Sequence, residues 1–297
     1  MSQTVTIRND RIAATIAAKG AELQSLIPSG GEEVMWSGDP AVWGWHAPNL
    51  FPIVGALADD TLIHAGKSYP IKQHGFLRHS ALEVVEGGAD SCAFRLTDNA
   101  ETWAQYPFAF DLTIAYRTVE DRLECEWSLH NPAATTLYAS VGLHPAFRRP
   151  LGDAPRDAHV VLFDKPEPAP IRRLAGRQID PEPKPTSVGG RVLHVADALF
   201  DADAVIFDRL ASRKLTYGAP GGPAVELDFP DFPDLGIWAK PGLTPFLCLE
   251  PWQGMASPQG FAGEFAEKPG VVALAANATR VWRYAIRPLP VMPPITE

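Results

Sequence analysis

The 297-residue sequence predicts an all-β protein, a large antiparallel β-sandwich. Segments in which apolar and polar residues alternate with a period of two recur from both ends of the chain, as is typical of half-buried antiparallel strands. Helical periodicity is scarce. No linker-like change in composition divides the chain, so residues 1–297 are predicted to form one domain rather than two.

The strand-like segments follow one another along the chain. TVTIRNDRIAATI (4–16) alternates on both sides of its central Asn-Asp, which predicts an opening hairpin. FAFDLTIAY (108–116) and DRLECEWSLH (121–130) alternate throughout, and so does the stretch 282–286 near the end of the chain. These segments are expected to be antiparallel strands with one buried face.

One segment has the features of a short helix. TDNAETWAQYPF (97–108) offers Asp98 or Asn99 as an N-cap, and Pro107 limits the helix to about two turns. Helices are therefore expected to contribute little to this fold.

Two stretches are rich in proline and depart from the alternating pattern. Residues 150–191 combine proline, glycine and charge, and only HVVLF (159–163) within them resembles a strand. They are expected to be mainly irregular, either a solvated surface excursion or a flap beside the active site. The end of the chain, 287–297, is expected to run extended along the surface.

Composition excludes several classes of partner and location. The formal net charge of −9 has no compensating basic block, which argues against binding to nucleic acid or to anionic membranes. The three cysteines, Cys92, Cys125 and Cys248, are odd in number and lie among apolar residues, as buried free thiols do. Without a secretory pattern or an apolar run of about 20 residues, the protein is expected to be soluble and cytoplasmic. The sequence does not determine an oligomeric state.

Three separated segments place an ionisable side chain among glycine, proline or aromatic residues. They are KQHGFLRHS with His74, VGLHPAF with His144 and CLEPWQG with Glu250. Alternation puts His144 on one strand face with the small residues Ser140 and Gly142, which we expect to leave room for a ligand. Glu250 precedes a proline, so it is expected at the end of a strand, where its carboxylate can face a cavity.

Each of these residues also has a structural interpretation. A histidine beside apolar residues is often a hydrogen-bonded structural residue, and a glutamate beside leucines can belong to an ion pair.

Other chemistries find less support. There is no His-x-x-x-His or Cys-x-x-Cys spacing for a metal, no nucleophile elbow and no glycine motif for a nucleotide, so neither a metal nor a cofactor is predicted. A His/Glu pair suits proton transfer near neutral pH.

The ordered set of motifs resembles the aldose 1-epimerase (galactose mutarotase) family, and especially its LacX-like branch. The likeness covers nearly the whole chain. It runs through KGAELQSLI, VMWSGDPAVWGWHAPNLFPIVG, QHGFLRHS, VGLHPAF, ALFDADAVIF, FPDLGIWAKPG and LCLEPWQGMA, and ends with EKPGVVALAANATRVWRYAI.

The resemblance implies a β-supersandwich that interconverts the α and β anomers of a free monosaccharide without a cofactor. His144 would be the general acid and Glu250 the general base, with a nearby carboxylate expected to keep His144 protonated. His74 would help to bind and polarise the sugar, and Asp203 would bind its hydroxyl groups. From their proximity to the motifs, Phe76, Trp238 and Trp252 are candidates for the apolar surface that a sugar ring needs.

Two positions depart from the LacX-like pattern. Ala56 stands where an arginine is common, so a guanidinium contact to the sugar is either missing or supplied by Arg78. Ser257 stands where an aspartate is frequent. Ala56 supports an alternative reading, a sugar-binding or regulatory protein without catalysis. A second alternative is an epimerase of a phosphorylated hexose, which would use Arg78, Arg148, Arg149 and Lys240.

Overall fold

The structure, a computed structural model that describes residues 3–295, consists mainly of antiparallel strands joined by turns and loops. The predicted all-β class is confirmed. In chain order the strands are β1 (Thr4–Arg8), β2 (Ile12–Ala17), β3 (Glu22–Pro28), β4 (Asn49–Leu50), β5 (Thr61–His64), β6 (Lys67–Pro70), β7 (Glu83–Gly87), β8 (Ser91–Thr97), β9 (Asp111–Val119), β10 (Arg122–His130), β11 (Leu137–Ala139), β12 (Val141–Leu143), β13 (Ala146–Arg148), β14 (Val160–Phe163), β15 (Leu174–Ala175), β16 (Gln178–Ile179), β17 (Val192–His194), β18 (Val205–Phe207), β19 (Lys214–Gly218), β20 (Ala224–Asp228), β21 (Asp234–Trp238), β22 (Phe246–Gln253), β23 (Val272–Leu274) and β24 (Thr279–Leu289).

Helical structure in residues 3–295 is limited to single turns. The α-helix α1 (Ala100–Trp103) begins at Asn99, whose side chain accepts hydrogen bonds from the backbone of Glu101 and Thr102. It has one turn where about two were predicted. Five 3₁₀ segments lie at Ala58–Asp60, Leu77–His79, Arg156–Ala158, Asp197–Phe200 and Phe265–Glu267. Among residues 3–295, no helix has the length and hydropathy needed to cross a bilayer.

Two large sheets dominate the molecule. One has nine strands in the order β17-β14-β19-β20-β24-β10-β9-β8-β7, and its centre contains the alternating segments predicted from the sequence. The other has six strands, in which β18-β21-β22-β12-β4 form the path and β13 also pairs with β22. The predicted opening hairpin is β1-β2, which β3 extends into a separate three-stranded sheet.

Alternation along the six-stranded sheet separates its two faces. In β22, Leu247 and Leu249 join the main hydrophobic core, which also contains Trp127 and Trp282 of the nine-stranded sheet. The residues between them, Phe246, Cys248, Glu250 and Trp252, belong to the opposite face. The same rule divides β21 and β18, so one face packs on the core and the other is available for a site.

The proline-rich segment 150–191 is mostly irregular, as predicted, but it is tied to the rest of the fold. Its strand β14 pairs within the nine-stranded sheet, and its hairpin β15-β16 reaches toward the six-stranded sheet. The Ile179 N–H donates to the carbonyl of Ser257, and Arg172 and Ile206 exchange backbone hydrogen bonds. The segment is therefore attached to the six-stranded sheet at Ile206 of β18 and to the loop that follows β22 at Ser257.

The end of the chain differs in part from the predicted extended tail. Residues 287–289 are the last three of β24, where Arg287 is paired with Glu226. Met292 is buried and its N–H donates to the carbonyl of Gly222. The predicted tail includes residues 296 and 297, which lie outside the described residues.

Candidate active site

His144 and Glu250 face each other across a break in the six-stranded sheet. The two sides of the break keep one register, in which Gly142 pairs with Trp252 and Ala146 with Cys248. His144 therefore falls opposite Glu250. Because the Leu249 N–H donates to the Pro145 carbonyl at 3.1 Å, the neighbouring His144/Glu250 position is a non-hydrogen-bonded one, where facing side chains lie closest.

Two prolines account for the break. Pro145 and Pro251 have no N–H, so each removes one donor from the ladder positions on either side of the His144/Glu250 pair. Glu250 was predicted at the end of a strand because Pro251 follows it. That prediction is wrong, since β22 continues through Pro251 to Gln253. The N–H that Pro251 lacks falls instead at the break between β12 and β13.

The contact between the two side chains is direct. His144 Nε2 lies 3.2 Å from Glu250 Oε2, and the two side chains are 10% and 2% exposed. Burial lowers the pKa of the His144 imidazole to about 3. Burial also raises the pKa of Glu250 well above its ordinary value, and the negative charge of Asp203 raises it further. Both shifts favour the neutral form of each group, and moving one proton from Nε2 to Oε2 turns an ion pair into a neutral imidazole and a neutral carboxyl group.

The direction of the His144 pKa shift differs from the expected one. A carboxylate lies beside His144, as the sequence reasoning required, but burial lowers the pKa of the imidazole. The neutral pair and the ion pair nevertheless contain the same single proton. They differ only by its position across the 3.2 Å contact.

Aromatic rings fix the orientation of the His144 imidazole. The indole of Trp43 stacks on it with 5.1 Å between ring centroids and 28° between planes. Trp238 approaches it edge-on at 5.8 Å, and His74 does so at 5.7 Å. With three rings around it, His144 is restricted to the orientation that directs Nε2 at Glu250.

His74 lies in the cavity wall with one ring nitrogen hydrogen-bonded to the backbone. It lies in a tight turn with a φ of 67°, and the Gly55 N–H donates to its Nδ1 at 3.2 Å. Burial lowers the pKa of His74 well below its ordinary value, and the neighbouring His144 and Arg78 lower it further. In the neutral ring, Nδ1 accepts this hydrogen bond and Nε2 carries the proton, so the Gln73 amide group, whose nitrogen lies 3.3 Å from Nε2, must present its oxygen there to form a hydrogen bond.

The pair opens onto a cavity of about 310 Å³ that brings most of the predicted residues together. His74, Arg78, Asp203 and Trp252 line it beside His144 and Glu250. Arg78 lies 5.3 Å from the ring centre of Trp45 and donates to the Gln73 carbonyl at 3.0 Å, but its Nε is buried without a partner. Asp203 has a φ of 63°, and its side chain accepts from the Ala204 N–H at 2.7 Å.

Phe76 lies elsewhere. It is 7% exposed and packs edge-on against Phe51 in the main core, with ring centroids 5.8 Å apart, and it does not line the cavity. The prediction that Phe76 contacts the sugar is not supported, because the turn at His74 and the 3₁₀ segment after Phe76 direct the phenyl ring inward.

The small residues near His144 accommodate protein instead of leaving room for a ligand. A Cβ on Gly142 would lie 2.7 Å from the indole of Trp252, and a Cβ on Gly236 would lie 2.4 Å from the same ring. The two glycines therefore allow Trp252 to lie flat across β12 and β21 as part of the cavity wall. Ser140 is fully buried, with its hydroxyl group against Gly254.

Sequence reasoning missed two parts of the cavity wall. Trp43 comes from a loop, and Gly176 and Arg177 come from the tip of the β15-β16 hairpin. Arg177 forms a bidentate ion pair with Asp60, at 2.8 and 3.0 Å. The tip of this hairpin therefore lies at the cavity, although no local pattern in the sequence indicates it.

One group of possible metal ligands lies in the site. The ligand atoms of His144, Cys248 and Glu250 are all within 4.8 Å of one another, and all three residues are buried. Cys248 is in β22, two residues before Glu250 and on the same face.

Of the cations proposed to hold a phosphate, the cavity contains only Arg78. Arg148 is 3.4 Å from Glu32, Arg149 is buried against Asp197 at 2.8 Å, and Lys240 donates to the Val42 carbonyl at 3.1 Å. None of these three lines the cavity.

The two departures from the LacX-like pattern are adjacent in space. Ala56 and Ser257 are both buried, and the Ser257 N–H donates to the Ala56 carbonyl at 2.9 Å. The two positions at which this chain differs from the LacX-like pattern are therefore in contact.

The chain belongs to the aldose 1-epimerase family, whose model matches residues 3–268. Among individual proteins it is similar to Protein LacX of Lactococcus lactis subsp. lactis, with 29% identity over 90% of this chain and 93% of LacX. Among solved structures it is similar to a galactose mutarotase related enzyme from Lactobacillus acidophilus, at 30% identity and a TM-score of 0.90 over 99% of this chain and 100% of that one. A galactose mutarotase-like protein from Lactobacillus casei ATCC 334 matches at 29% identity and a TM-score of 0.89, over 96% and 100% of the two chains.

Proposed function

We propose that this protein is an aldose 1-epimerase that interconverts the α and β anomers of a free aldose. The observation that carries the proposal is the 3.2 Å contact between His144 Nε2 and Glu250 Oε2 at the wall of an aromatic cavity. Mutarotation requires one group that gives a proton and one that takes a proton. The ring oxygen and the hydroxyl group that exchange these protons are bound to the same carbon, so the two groups must lie close together.

The proposed reaction uses the single proton of the pair. With that proton on His144, the imidazolium protonates the ring oxygen while Glu250 takes the proton of the C1 hydroxyl group. The bond between C1 and the ring oxygen breaks, which leaves an open-chain aldehyde. Rotation about the C1–C2 bond presents the other face of the carbonyl group, and the reverse transfers close the ring as the other anomer.

In the proposed mechanism the pair rests in its neutral form, which requires one further step. The proton must pass from Glu250 to His144 before ring opening, and the direct contact between Oε2 and Nε2 provides the path. Hydroxyl groups of a bound sugar would favour this transfer, because they hydrogen-bond to both charges that it creates.

The other residues of the cavity are proposed to bind the sugar. His74 would donate from Nε2 to a sugar oxygen, Asp203 would accept from hydroxyl groups, and Arg78 would donate from its guanidinium group. Trp252, and also Trp43 and Trp238, would cover the C–H face of the ring. Arg78 could thus supply the guanidinium group that is missing at position 56.

A cytoplasmic location remains part of the proposal. Cys92, Cys125 and Cys248 are all free and buried, which suits a reducing compartment.

Polarimetry or exchange NMR on freshly dissolved α-anomers, over a panel of sugars with and without phosphate, tests the proposal. We expect faster equilibration for at least one unphosphorylated aldose. Saturable binding without acceleration of any sugar would instead favour a non-catalytic binding protein. Acceleration restricted to phosphorylated hexoses would favour the phosphate-specific alternative, for which the cavity offers only Arg78 of the four predicted cations.

A further inference from the structure

Cys248 lies beside the acid-base pair, but the proposed reaction does not use it. Alternation in β22 puts Cys248 and Glu250 on one face, and the preserved register across the break brings His144 opposite Glu250. The three potential ligand atoms are within 4.8 Å of one another, and the residues are 8%, 0% and 2% exposed for His144, Cys248 and Glu250.

The donor set suits a borderline or soft divalent cation. An imidazole nitrogen, a thiolate and a carboxylate are the three ligand types of protein zinc sites, and three protein ligands leave the fourth tetrahedral position open. Here the open position would face the cavity, which His144 and Glu250 line.

The charge balance also favours a buried complex. A divalent cation with one thiolate, one carboxylate and one neutral imidazole has no net charge, which removes much of the penalty for burying the ion. Coordination releases two protons to solvent, one from the Cys248 thiol and one from the His144–Glu250 pair, and a divalent cation is able to deprotonate a coordinating thiol.

We infer that His144, Cys248 and Glu250 form a binding site for a single Zn²⁺ or Cd²⁺ ion, and that the bound ion inhibits the enzyme by occupying its acid and its base. The binding is independent of the proposed function, whereas the inhibition rests on it. The inference departs from the sequence prediction of no metal, because the ligands are a Cys-x-Glu pair and a distant histidine that no spacing motif describes.

Cadmium titration of the full-length protein tests the binding. Thiolate coordination produces an ultraviolet ligand-to-metal absorption band, which we expect for the wild type at one ion per chain. We expect Cys248→Ala to lose the band. Cys92→Ala and Cys125→Ala are matched controls, since both cysteines are buried and free but belong to the nine-stranded sheet, and both variants should keep it.

Two outcomes would overturn the site: no band in the wild type, or a band that survives in Cys248→Ala and disappears in one of the control variants. Circular dichroism spectra establish that each variant is folded. If Cys248→Ala does not fold, Cys248→Ser replaces it, because its hydroxyl group is close in size to the thiol and is a poor ligand for cadmium.

Inhibition is measured separately, with zinc added to the mutarotation assay and each variant compared with its own metal-free rate. We expect zinc to abolish wild-type activity and to inhibit Cys248→Ala much less. Metal binding without inhibition would overturn the inhibitory role and leave the binding site standing. If no aldose is a substrate, the proposed function fails, and the cadmium titration still decides the binding.

Discussion

The candidate active site of this protein is smaller than a groove on another part of its surface. A groove of about 480 Å³ lies on the nine-stranded sheet, whereas the cavity at His144 and Glu250 measures about 310 Å³. Both are lined by charged residues. In the groove these charges pair with one another in water: Arg283 lies 3.0 Å from Glu126, and their side chains are 59% and 52% exposed.

The groove and the cavity differ in whether their charged groups are exposed to solvent or buried. Exposed ion pairs are solvated and are screened by salt, so their formation contributes little to the stability of the fold. In the cavity, aromatic rings exclude water, and the pKa values of His144 and Glu250 move in opposite directions. Perturbed titratable groups in a cleft, rather than the size of the cleft, identify the site.

The largest expected effect of this contrast is on activity. We expect Glu250→Gln to lower kcat/KM for mutarotation by ~10²–10⁴, the usual contribution of an acid or base group, and His144→Asn to do the same. Glu126→Gln, which removes a carboxylate from the groove, should leave the rate unchanged. Polarimetry on the preferred aldose measures all three. Activity within a few-fold of wild type in Glu250→Gln would remove the acid-base assignment.

Buried and exposed lysines should differ in the pH dependence of stability. Lys268 is buried, and its ammonium group donates to the carbonyls of Met255 and Pro269. Burial lowers its pKa to about 8, against the opposing effect of Asp234. Between pH 8 and about 10.5 the unfolded chain binds this proton and the folded chain does not, so the free energy of unfolding should rise, by about 3 kcal/mol.

Chemical denaturation at several pH values measures this rise. It should be absent in Lys268→Met and present in Lys214→Met, because Lys214 is 44% exposed and lies 3.7 Å from Glu226. The same rise in Lys268→Met as in the wild type would show that this lysine is not the cause.

An added methyl group should be tolerated at Gly87, in the edge strand β7, and should not be tolerated at Gly236, which lies against Trp252 of the cavity wall. Gly236→Ala would place a Cβ 2.4 Å from the Trp252 ring. We expect it to destabilise the protein by about 1–3 kcal/mol and to lower activity by displacing the indole. Gly87→Ala is the matched control, since a Cβ there meets nothing within 4 Å. Thermal unfolding compares the two, and equal melting temperatures would show that Trp252 can move away freely.

The smallest effect is expected in the groove itself. Arg283→Gln breaks the ion pair with Glu126, and it should lower the free energy of unfolding by less than about 1 kcal/mol. The difference should shrink further in 1 M salt, where the Debye length is about 3 Å. Denaturation at low and high salt measures it. If the free energy of unfolding fell by several kcal/mol regardless of salt, the charges of the groove would behave like those of the cavity, and the contrast between the two regions would be wrong.

Local patterns predicted the parts of the site that depend on the sheet. Period-2 alternation correctly placed Val141 and Leu143 in the core, with His144 and Glu250 on the opposite face. The sequence could not predict that the break preserves the register, because this depends on how two separate strands pair with β22.

Residues outside the alternating strands were harder to place. Trp43 and Arg177 reach the cavity through long-range packing of loops, for which a single sequence contains no period. Phe76 was placed at the site because of its neighbours in the chain, but the positive φ of His74 reverses the chain direction just before it.

The opposed positions of His144 and Glu250 mean that the proposed acid-base chemistry and the proposed selection of a sugar depend on different parts of the fold. Their spacing is set by two paired backbones and by two prolines, so it does not depend on which sugar is bound. Most of the residues available to distinguish one sugar from another lie in turns and loops, including His74, Asp203 and the hairpin tip at Arg177. Under the proposed function, substrate preference can therefore diverge among relatives through loop changes alone, while the acid-base pair is inherited with the sheet.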